Sequence, residues 1–393
     1  MIVVGGSYLE RTVIPSTAAL WGSGLKAASA LASFSQDVHL ITSVSAGERA
    51  ELQLVARTFG VSVEVIERSA RIAFEYYTPV SKPTISGLQQ PTLQIHAEGD
   101  DVLAFGMLEA VTDIRARTLV FDPQSPAQSP IPDGLRRSCE RLAIVLNRHE
   151  ARRSSKRSGI EAAARSILNR TAADLVVVKC GAVGAFVAEA ARRPFWVPAF
   201  ETTHVWPIGS GDVFTAAFAW HWAARGQSVR ESARAASLAT AWWSATHQLP
   251  LPKRLRIDGR FVLRALPPQT PRVYIAGPFF GVQEEWLVDS VRDALRDLGV
   301  EVFSPLHEIG RGDEGVAEKD LRGLRGCSAV LALLDRCDVG TIFEVGYAIA
   351  KGIPVVGFTD NPNSDALKML RGSGIAVVPD LSTAVYRAAW AGM

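Results

Sequence analysis

Cysteine is scarce in this chain, and its copies are scattered. Cys139, Cys180, Cys327 and Cys337 form no Cys-x-x-Cys pair, so their spacing excludes the common zinc and dithiol motifs. The histidines show no spacing typical of metal ligands. Unpaired, scattered thiols are typical of proteins in a reducing compartment, and we therefore expect a cytoplasmic location.

Long apolar runs and an excess of one charge are also missing. No run of about 18 apolar residues occurs, so we expect neither a transmembrane helix nor a membrane partner. The net charge is only +2, which gives no electrostatic reason to expect nucleic acid binding. The chain starts directly in an apolar segment without a charged leader, so we expect no signal peptide.

Short apolar segments alternate with helical patterns along both halves of the chain, which is typical of α/β domains. Between the halves, the segment 250–271 is rich in proline and carries the basic run 253–256, which indicates a connector. We therefore expect a larger domain over 1–265 and a smaller one over 271–393. The larger should have a mostly parallel sheet with helices on both faces, and the smaller a five-stranded parallel sheet.

The most informative stretch of the smaller half, 338–348, reads Asp-Val-Gly-Thr-Ile-Phe-Glu-Val-Gly-Tyr-Ala. It follows the apolar segment 328–334, which has the composition of a buried parallel strand. Open α/β sheets bind ligands at the carboxyl ends of such strands, so Asp338 and Glu344 are candidate site residues. We expect Glu344 in the first turn of a helix, where the helix dipole favours an ionised carboxylate. Paired acids suit the cleavage of a glycosidic bond, although a helix start with an acid near it explains the same letters.

Two further segments accompany this motif. Residues 274–280 read Tyr-Ile-Ala-Gly-Pro-Phe-Phe and should form a strand that runs into a glycine turn, followed by an amphipathic helix. The Lys-Asp-Leu segment 319–321 places a further acid on a helix before the strand at 328–334. Together with 338–348, these segments resemble the nucleoside 2-deoxyribosyltransferase family, which includes related nucleotide N-glycoside hydrolases. The resemblance implies a flavodoxin-like α/β fold and no cofactor for this domain.

The resemblance also implies a role for each matching residue. Glu344 would be the nucleophile that forms a glycosyl-enzyme intermediate, and Asp338 would manage the proton on the departing base. Asp320 would position the sugar and the nucleophile. Tyr274 would hold the nucleophile through its hydroxyl, and Gly277 would contribute to substrate binding.

The same family often completes its site with a polar residue from a neighbouring subunit. Asn361, Asn363 and Ser364 are the candidates in this chain, and no motif distinguishes them. Together with the nine tryptophans, a residue type enriched at interfaces, this predicts a homo-oligomer, a dimer or higher.

A second glycine-rich motif, 208–214, reads Ile-Gly-Ser-Gly-Asp-Val-Phe and precedes an apolar helix expected over 213–224. Small residues let backbone N–H groups close around an anion, and the helix adds its positive end. Gly209, Ser210 and Gly211 are therefore candidate phosphate-binding residues. Asp212 would be placed to take a proton from a substrate hydroxyl. An ordinary loop with a helix cap explains the same letters.

Three apolar strands expected at 2–4, 142–146 and 175–179 provide the context. The second ends in Asn147-Arg148-His149-Glu150, and the third in Cys180-Gly181-Ala182-Val183-Gly184. With the motif at 208–214, they resemble the PfkB, ribokinase-like family of carbohydrate and nucleoside kinases over about residues 1–265. The resemblance implies a ribokinase-like doubly wound sheet, with ATP and Mg²⁺ as cofactors.

By that resemblance, Asp212 is the general base and Gly209 to Gly211 form the anion hole. Asn147 and Glu150 would help to hold magnesium and phosphates, with Glu150 as the metal ligand. Gly181 and Gly184 would contribute to nucleotide binding.

The chain departs from the kinase pattern on the acceptor side. Glu10 stands where the family commonly has Asp, and Lys26 where it has Asn; both are candidate substrate-binding residues. Trp206-Pro207-Ile208 replaces the usual Asp-Thr-Thr or Asp-Pro-Thr. The segment between Glu10 and Gly22 is too short for the usual β-lid. An unusual acceptor explains these differences, and so does a kinase fold that only binds or scaffolds.

Two hypotheses for the whole chain follow. In the first, the kinase domain phosphorylates a nucleoside or sugar, and the C-terminal domain cleaves or transfers an N-glycosidic (deoxy)ribosyl bond. In the second, the kinase-like domain is a non-catalytic ligand-binding or oligomerising module that regulates a nucleotide-depleting N-glycosidase. In both, the partner is a small nucleoside or nucleotide.

Overall fold

The computed structural model describes residues 1–88, 93–124, 131–255, 261–264, 270–311, 315–362 and 365–393. The chain forms two compact units, Met1–Val262 and Leu263–Met393. Each unit has its own sheet and its own hydrophobic core. Among the described helices, none has the length and apolar character needed to cross a membrane.

The first unit is built mainly from strands. Those wholly within it are β1 (Ile2–Val4), β2 (Leu9–Thr12), β3 (Thr17–Leu20), β4 (His39–Ser45), β5 (Ser62–Arg68), β6 (Ala73–Tyr76), β7 (Thr84–Ser86), β8 (Leu93–Phe105), β9 (Ala110–Asp122), β10 (Cys139–Asn147), β11 (Leu175–Lys179), β12 (Gly184–Glu189), β13 (Phe195–Pro198) and β14 (Phe200–Glu201). A further short strand, β15 (Val262–Leu263), spans the boundary of the two units.

Its helices are α1 (Gly22–Leu31), α2 (Arg49–Phe59), α3 (Arg148–Ser155), α4 (Ile160–Thr171), α5 (Ser210–Ala219) and α6 (Val229–Thr246). A π-helical turn, Trp220–Ala224, extends α5. The apolar helix expected over 213–224 therefore begins three residues earlier, and Asp212 lies inside its first turn.

The main sheet of this unit has the strand order β13-β12-β11-β10-β9-β8-β1-β4-β5. Its pairs are parallel except β11–β12 and β12–β13, which are antiparallel. Side chains along β10 alternate between two cores: Leu142 and Ile144 pack with α3 and α4, whereas Ala143 and Val145 pack with α1, α5 and α6. Helices thus cover both faces, and the predicted doubly wound, ribokinase-like sheet is confirmed.

A separate four-stranded sheet has the order β3-β2-β6-β7. The β2–β3 hairpin lies between Glu10 and Gly22, and β6 and β7 complete the sheet from 73–86. The segment was expected to be too short for the usual β-lid; it supplies two strands of this sheet, and the distant segment 73–86 supplies the other two. Glu10 lies on β2, next to Phe74 of β6.

The second unit contains β16 (Arg272–Ala276), β17 (Glu301–Phe303), β18 (Ala329–Leu333), β19 (Val355–Phe358) and β20 (Ala376–Val378). Its helices are α7 (Val282–Asp297), α8 (Pro305–Glu308), α9 (Val316–Arg325), α10 (Val339–Ala350), α11 (Lys368–Gly372) and α12 (Leu381–Ala391). Each of the strands expected near 272–276, 300–303 and 328–334 is present.

All pairs of this sheet are parallel, and the strand order is β17-β16-β18-β19-β20. This is the flavodoxin-like order, in which the direction of winding reverses between the first and third strands. Here the reversal falls between β16 and β18, so their carboxyl ends are the expected ligand-binding position. Gly277 follows β16, and a Cβ there would lie 3.0 Å from the side chain of Leu333. The predicted five-stranded parallel fold is confirmed.

Candidate functional sites

The hydroxyl of Tyr274 meets the carboxylate of Glu344 at the carboxyl end of the second unit's sheet. Tyr274 donates a hydrogen bond of 2.5 Å to Oε1 of Glu344. The Tyr274 ring is fully buried and stacks on Phe303, with 5.5 Å between ring centroids and 9° between planes. Residue 323 of α9 must be glycine, because a Cβ there would lie 2.2 Å from the Phe303 ring. Packing from β17 and α9 therefore fixes the direction of the hydroxyl.

Glu344 does not lie where the sequence suggested. Helix α10 begins at Val339, so Glu344 is in its second turn, and the expected first-turn position was wrong. The helix begins early because Asp338 caps it: Oδ2 of Asp338 accepts from the backbone N–H of Thr341 at 3.0 Å. The argument that the helix dipole keeps Glu344 ionised therefore does not hold.

Burial favours the neutral form of Glu344, which is the opposite of the effect expected from a helix dipole. Burial raises the pKa of Glu344 to about 7, helped by the negative charges of Asp320 and Asp338, while the hydrogen bond from Tyr274 lowers it. Burial and the neighbouring Glu344 carboxylate both raise the pKa of Tyr274, so its hydroxyl stays protonated at neutral pH. Glu344 is therefore poised between its neutral and ionised forms near pH 7.

Asp320 completes this group from α9, and burial raises its pKa. Its Oδ1 is buried and has no hydrogen-bond partner among the described residues. A buried acceptor without a partner costs about 1–3 kcal/mol. A hydroxyl of a bound ligand would remove that cost, which agrees with the sugar-positioning role expected for Asp320.

A pocket opens at the ends of β16 and β18 and along α7. Its walls are Pro278, Gln283, Glu284, Leu287, Leu333, Asp335 and Arg336. Asn361 follows β19 at the same edge of the sheet, and its backbone N–H donates to Thr359 Oγ1 at 3.2 Å. The other two candidates for a subunit-crossing role, Asn363 and Ser364, lie outside the described residues.

In the first unit, Asp212 lies at the start of α5, behind a turn that needs glycine. Gly209 precedes the helix with φ of 76°, a conformation that glycine adopts without strain. The indole of Trp243 donates to the carbonyl of Ile208 at 2.9 Å and holds this turn. The N–H of Ser210 donates to the carbonyl of Pro207 at 3.0 Å, so in this structure it serves the turn.

The structure brings Asp212 together with both candidate acceptor residues. Nζ of Lys26 lies 2.8 and 2.9 Å from the two carboxylate oxygens of Glu10. The same Nζ lies 3.7 Å from Oδ2 of Asp212. Gln124, which the sequence did not single out, donates to Oδ1 of Asp212 at 2.5 Å. Tyr76 of β6 is also close, since the charges of Glu10 and Asp212 add to the effect of burial in raising its pKa.

A second charged group behind Asp212 was missed by the sequence analysis. Nζ of Lys179 lies 2.5 Å from Oδ2 of the fully buried Asp122, and Thr215 donates to the same oxygen at 2.7 Å. The charges of Asp122, Glu150 and Asp212 raise the pKa of Lys179 against the effect of its burial. The sequence does contain a signal for this pair, because Asp122 and Lys179 are charged residues at the carboxyl ends of buried strands.

Asn147 and Glu150 form a reciprocal cap at the start of α3. Asn147 Oδ1 accepts from the N–H of Glu150 at 2.9 Å, and Glu150 Oε2 accepts from the N–H of Asn147 at 2.7 Å. Burial and the charge of Asp122 raise the pKa of Glu150 to about 7. Among the described residues, no cluster of three or more acidic, histidine or cysteine side chains could hold a metal ion. A lone carboxylate still fits Mg²⁺, which commonly binds through one or two carboxylates, water and substrate phosphates.

Gly181 and Gly184 frame the turn after β11. Their φ values are 58° and 114°, and a Cβ on Gly184 would lie 2.1 Å from the carbonyl oxygen of Val197. Gly184 is therefore required by the pairing of β12 with β13. A role of these two glycines in nucleotide binding stays a prediction.

Comparison with known proteins agrees with the two motif-based resemblances. Residues 98–249 match the pfkB family of carbohydrate kinases, and residues 273–374 match the nucleoside 2-deoxyribosyltransferase family. The first unit is thus kinase-like and the second deoxyribosyltransferase-like, as the motifs predicted. An uncharacterized protein of Schizosaccharomyces pombe is 31% identical over 112 residues, which cover 24% of this chain. The chain spans about half of that relative's length, 53%.

Several solved structures that are similar to this chain are named as kinases. A pyrophosphate-dependent kinase of the ribokinase family, complexed with a pyrophosphate analog and myo-inositol, has a TM-score of 0.49 at 15% identity, covering 64% of this chain and 98% of its own. Ribokinase from Cryptococcus neoformans in complex with ADP has a TM-score of 0.48 at 14% identity, covering 64% and 96%. Ribokinase from Thermotoga maritima has a TM-score of 0.46 at 17% identity, covering 64% and 95%.

Proposed function

We propose that the second unit cleaves or transfers the N-glycosidic bond of a nucleoside or nucleotide, with Glu344 as the nucleophile. The observation that carries this proposal is the 2.5 Å hydrogen bond between the Tyr274 hydroxyl and Glu344. This bond aims one carboxylate oxygen, and burial keeps Glu344 from being fully ionised and solvated before substrate binds. Two further acids, Asp320 and Asp338, stand close enough to influence its charge.

In the proposed reaction, ionised Glu344 attacks the anomeric carbon of the sugar as the bond to the base breaks. The base leaves more readily when it gains a proton, and in this proposal Asp338 transfers that proton to the base. The transition state has the character of an oxocarbenium ion, which the surrounding carboxylates stabilise. Water or a second base then attacks the glycosyl-enzyme ester and restores Glu344.

The first unit is proposed to transfer phosphoryl from ATP to a hydroxyl of a nucleoside or sugar. The supporting observation is the position of Asp212 at the start of α5, after Gly209 and beside Lys26 and Glu10. Asp212 would take the proton of the acceptor hydroxyl. Glu150 would hold Mg²⁺, which neutralises phosphate charge when bound, and Lys179 would add a fixed positive charge behind the anion hole.

The alternative for this unit is a non-catalytic module that regulates the glycosidase. A specific observation favours it: both oxygens of Asp212 already face internal partners, Gln124 on Oδ1 and Lys26 on Oδ2. A base held in this way is less free to accept a proton.

One experiment tests both units. The full chain is incubated with nucleosides, nucleotides and dinucleotide cofactors, with and without ATP and Mg²⁺, and the products are identified by mass spectrometry. We expect release of free base both with and without ATP, and formation of ADP only when a suitable acceptor is present. Base release must be lost in Glu344→Gln and kept in Glu301→Gln, a matched change at the opposite end of the sheet.

ADP formation must be lost in Asp212→Asn and kept in Asp133→Asn, an exposed control. Base release without ADP formation from any acceptor would favour the regulatory module. Absence of base release from every substrate would contradict the glycosidase proposal.

A further inference from the structure

We infer that Lys26 belongs to an anion-binding subsite of the first unit, and that Glu10 occupies it in this structure in place of a carboxylate or phosphate on the acceptor. The inference deepens the proposed function, since it names the chemical class of the acceptor. It rests on contacts around Lys26 and not on phosphoryl transfer itself.

The subsite has the composition of an anion cradle. Lys26 is 1% exposed, and a buried ammonium is tolerated only when it is paired. Its Nζ contacts both oxygens of Glu10, at 2.8 and 2.9 Å. The backbone N–H of Gly22, the first residue of α1, donates to the same carboxylate at 3.1 Å. One carboxylate is thus held by a buried cation and by the positive end of a ten-residue helix.

The cradle and its occupant come from different parts of the fold. Gly22 and Lys26 lie on α1, which packs in the main core. Glu10 lies on β2 of the small sheet, and its side chain is 16% exposed. Glu10 is therefore the member of the pair that solvent and a ligand reach first. If it withdraws, the cradle on α1 keeps its geometry and its positive charge.

The subsite adjoins the proposed reaction centre. Nζ of Lys26 lies 3.7 Å from Oδ2 of Asp212. A Cβ on Gly209 would lie 2.3 Å from the same Nζ, so the ammonium touches the glycine turn that precedes α5. The ring of Trp243 lies 5.8 Å from Nζ and provides an apolar wall. An anion that replaced Glu10 would bring the rest of its molecule next to Asp212.

Charge decides which acceptor fits. A neutral polyol that separated Glu10 from Lys26 would leave the buried ammonium with only the more distant Asp212, 3.7 Å away, as a counter-charge, which is less favourable. A carboxylated or phosphorylated acceptor replaces one anion by another and keeps Lys26 paired. The family pattern has Asn at position 26, which offers hydrogen bonds and no charge. Lys26 therefore shifts the preference of this site from neutral to anionic acceptors.

The test is direct binding to the full chain, measured by isothermal calorimetry without ATP. The probes are ribose, ribose 5-phosphate and ribonate, which differ in charge and separate the phosphate from the carboxylate source. We expect at least one anionic probe to bind more tightly than ribose. Lys26→Asn should weaken the binding of that probe about tenfold or more and leave ribose unchanged or improved. Glu10→Gln should strengthen it, because the competing carboxylate is gone.

The double variant Glu10→Gln/Lys26→Asn removes both charges of the pair and serves as the folded control if a single variant unfolds. It should bind the anionic probes as weakly as Lys26→Asn. Two outcomes would overturn the inference: no anionic probe binds either wild type or Glu10→Gln, or Lys26→Asn and the double variant leave anionic binding unchanged. Because no ATP is present, loss of phosphoryl transfer alone would overturn the kinase proposal and leave this one standing.

Discussion

Tyr274 and Glu344 are 70 positions apart in the chain, yet a hydrogen bond of 2.5 Å joins the hydroxyl of one to Oε1 of the other. The bond links β16 to α10 at the edge of the sheet where the strand order reverses. It gives Glu344 a partner that lowers its pKa, against burial and two neighbouring acids that raise it. The ionisation of the proposed nucleophile is therefore set by the balance between burial, the neighbouring acids and this hydrogen bond.

The pH dependence of base release tests that relationship. Glu344 must be ionised to attack, and its pKa is about 7, so kcat/KM should rise with pH through a midpoint near 7. Tyr274→Phe removes the bond that lowers this pKa. We predict a midpoint shifted to higher pH and a rate reduced about tenfold or more, from a lost hydrogen bond to a charged group.

The matched control is Tyr386→Phe, which removes the hydroxyl of another, half-buried tyrosine of the same unit, on α12. It should leave the midpoint where wild type has it. A Tyr274→Phe profile that superimposes on that of wild type would show that this hydroxyl does not tune the nucleophile.

Asp338→Asn tests the proton on the leaving base. Asparagine still caps α10 through its side-chain oxygen, so the helix should keep its start at Val339. Substrates whose base leaves poorly should lose most activity, while an activated substrate with a good leaving group should lose little. The measurement is kcat/KM across a series of leaving groups, with Asp293→Asn on α7 as the exposed control. Equal losses across the series would argue against a proton role.

Because Glu344 is buried, its ionisation should lower the stability of the folded protein. Its pKa of about 7 lies above the unfolded value of about 4.3, so the folded state binds the proton more tightly. The associated stability is present below the unfolded pKa and is lost as pH rises through 7. At pH 8 the loss is about 4 kcal/mol at most. Glu344→Gln cannot ionise, so it should protect the second unit at pH 8.

Hydrogen exchange of the β16 and β18 amides measures this effect within the second unit. Glu344→Gln should slow exchange relative to wild type at pH 8, after correction for the intrinsic effect of pH, and the difference should shrink toward pH 5. Glu301→Gln should show no such difference. Exchange that is equally fast in Glu344→Gln and wild type at both pH values would mean that Glu344 is ionised without cost.

Sequence patterns predicted the fold well because buried parallel strands leave a strong local signal. Runs such as 142–146 and 175–179 are apolar on both faces, and helical spacing separates them. The small sheet was missed because β2 pairs with β6 across some sixty residues, and no local pattern records such a pairing. The position of Glu344 within α10 was missed because the cap at Asp338 starts the helix earlier than the turn motif suggested.

The candidate sites also contain residues that local patterns predict and contacts that they do not. Motifs placed Asp338 and Asp212 at helix starts, where local signals exist, and assigned Glu344 to the correct helix. They could not show that Lys26 pairs with Glu10, that Gln124 contacts Asp212, or that Phe303 orients Tyr274. These contacts arise from packing between segments that are distant in the chain.

That the protein is a homo-oligomer remains a prediction, but the tryptophans no longer support it. Eight of the nine tryptophans are buried or half-buried, so most serve packing within the units, and only Trp286 is exposed. Exposed aromatic side chains do occur near the site of the second unit: Phe280 is 69% and Phe343 60% exposed.

We predict at least a dimer by light scattering at micromolar concentration. Phe343→Ser should favour the monomer and reduce base release, whereas Leu54→Ser, an exposed site on α2 of the first unit, should do neither. A monomer with full specific activity on dilution would contradict this prediction.

The most direct test of the central claim is the initial rate of base release by wild type, Glu344→Gln and Glu301→Gln, measured on one substrate under identical conditions. Glutamine keeps the shape of the side chain and its bond from Tyr274, and it removes the attacking anion. We predict that Glu344→Gln is slower than wild type by about a thousandfold or more, and that Glu301→Gln matches wild type. Base release by Glu344→Gln at a rate close to wild type would contradict the assignment of Glu344 as the nucleophile.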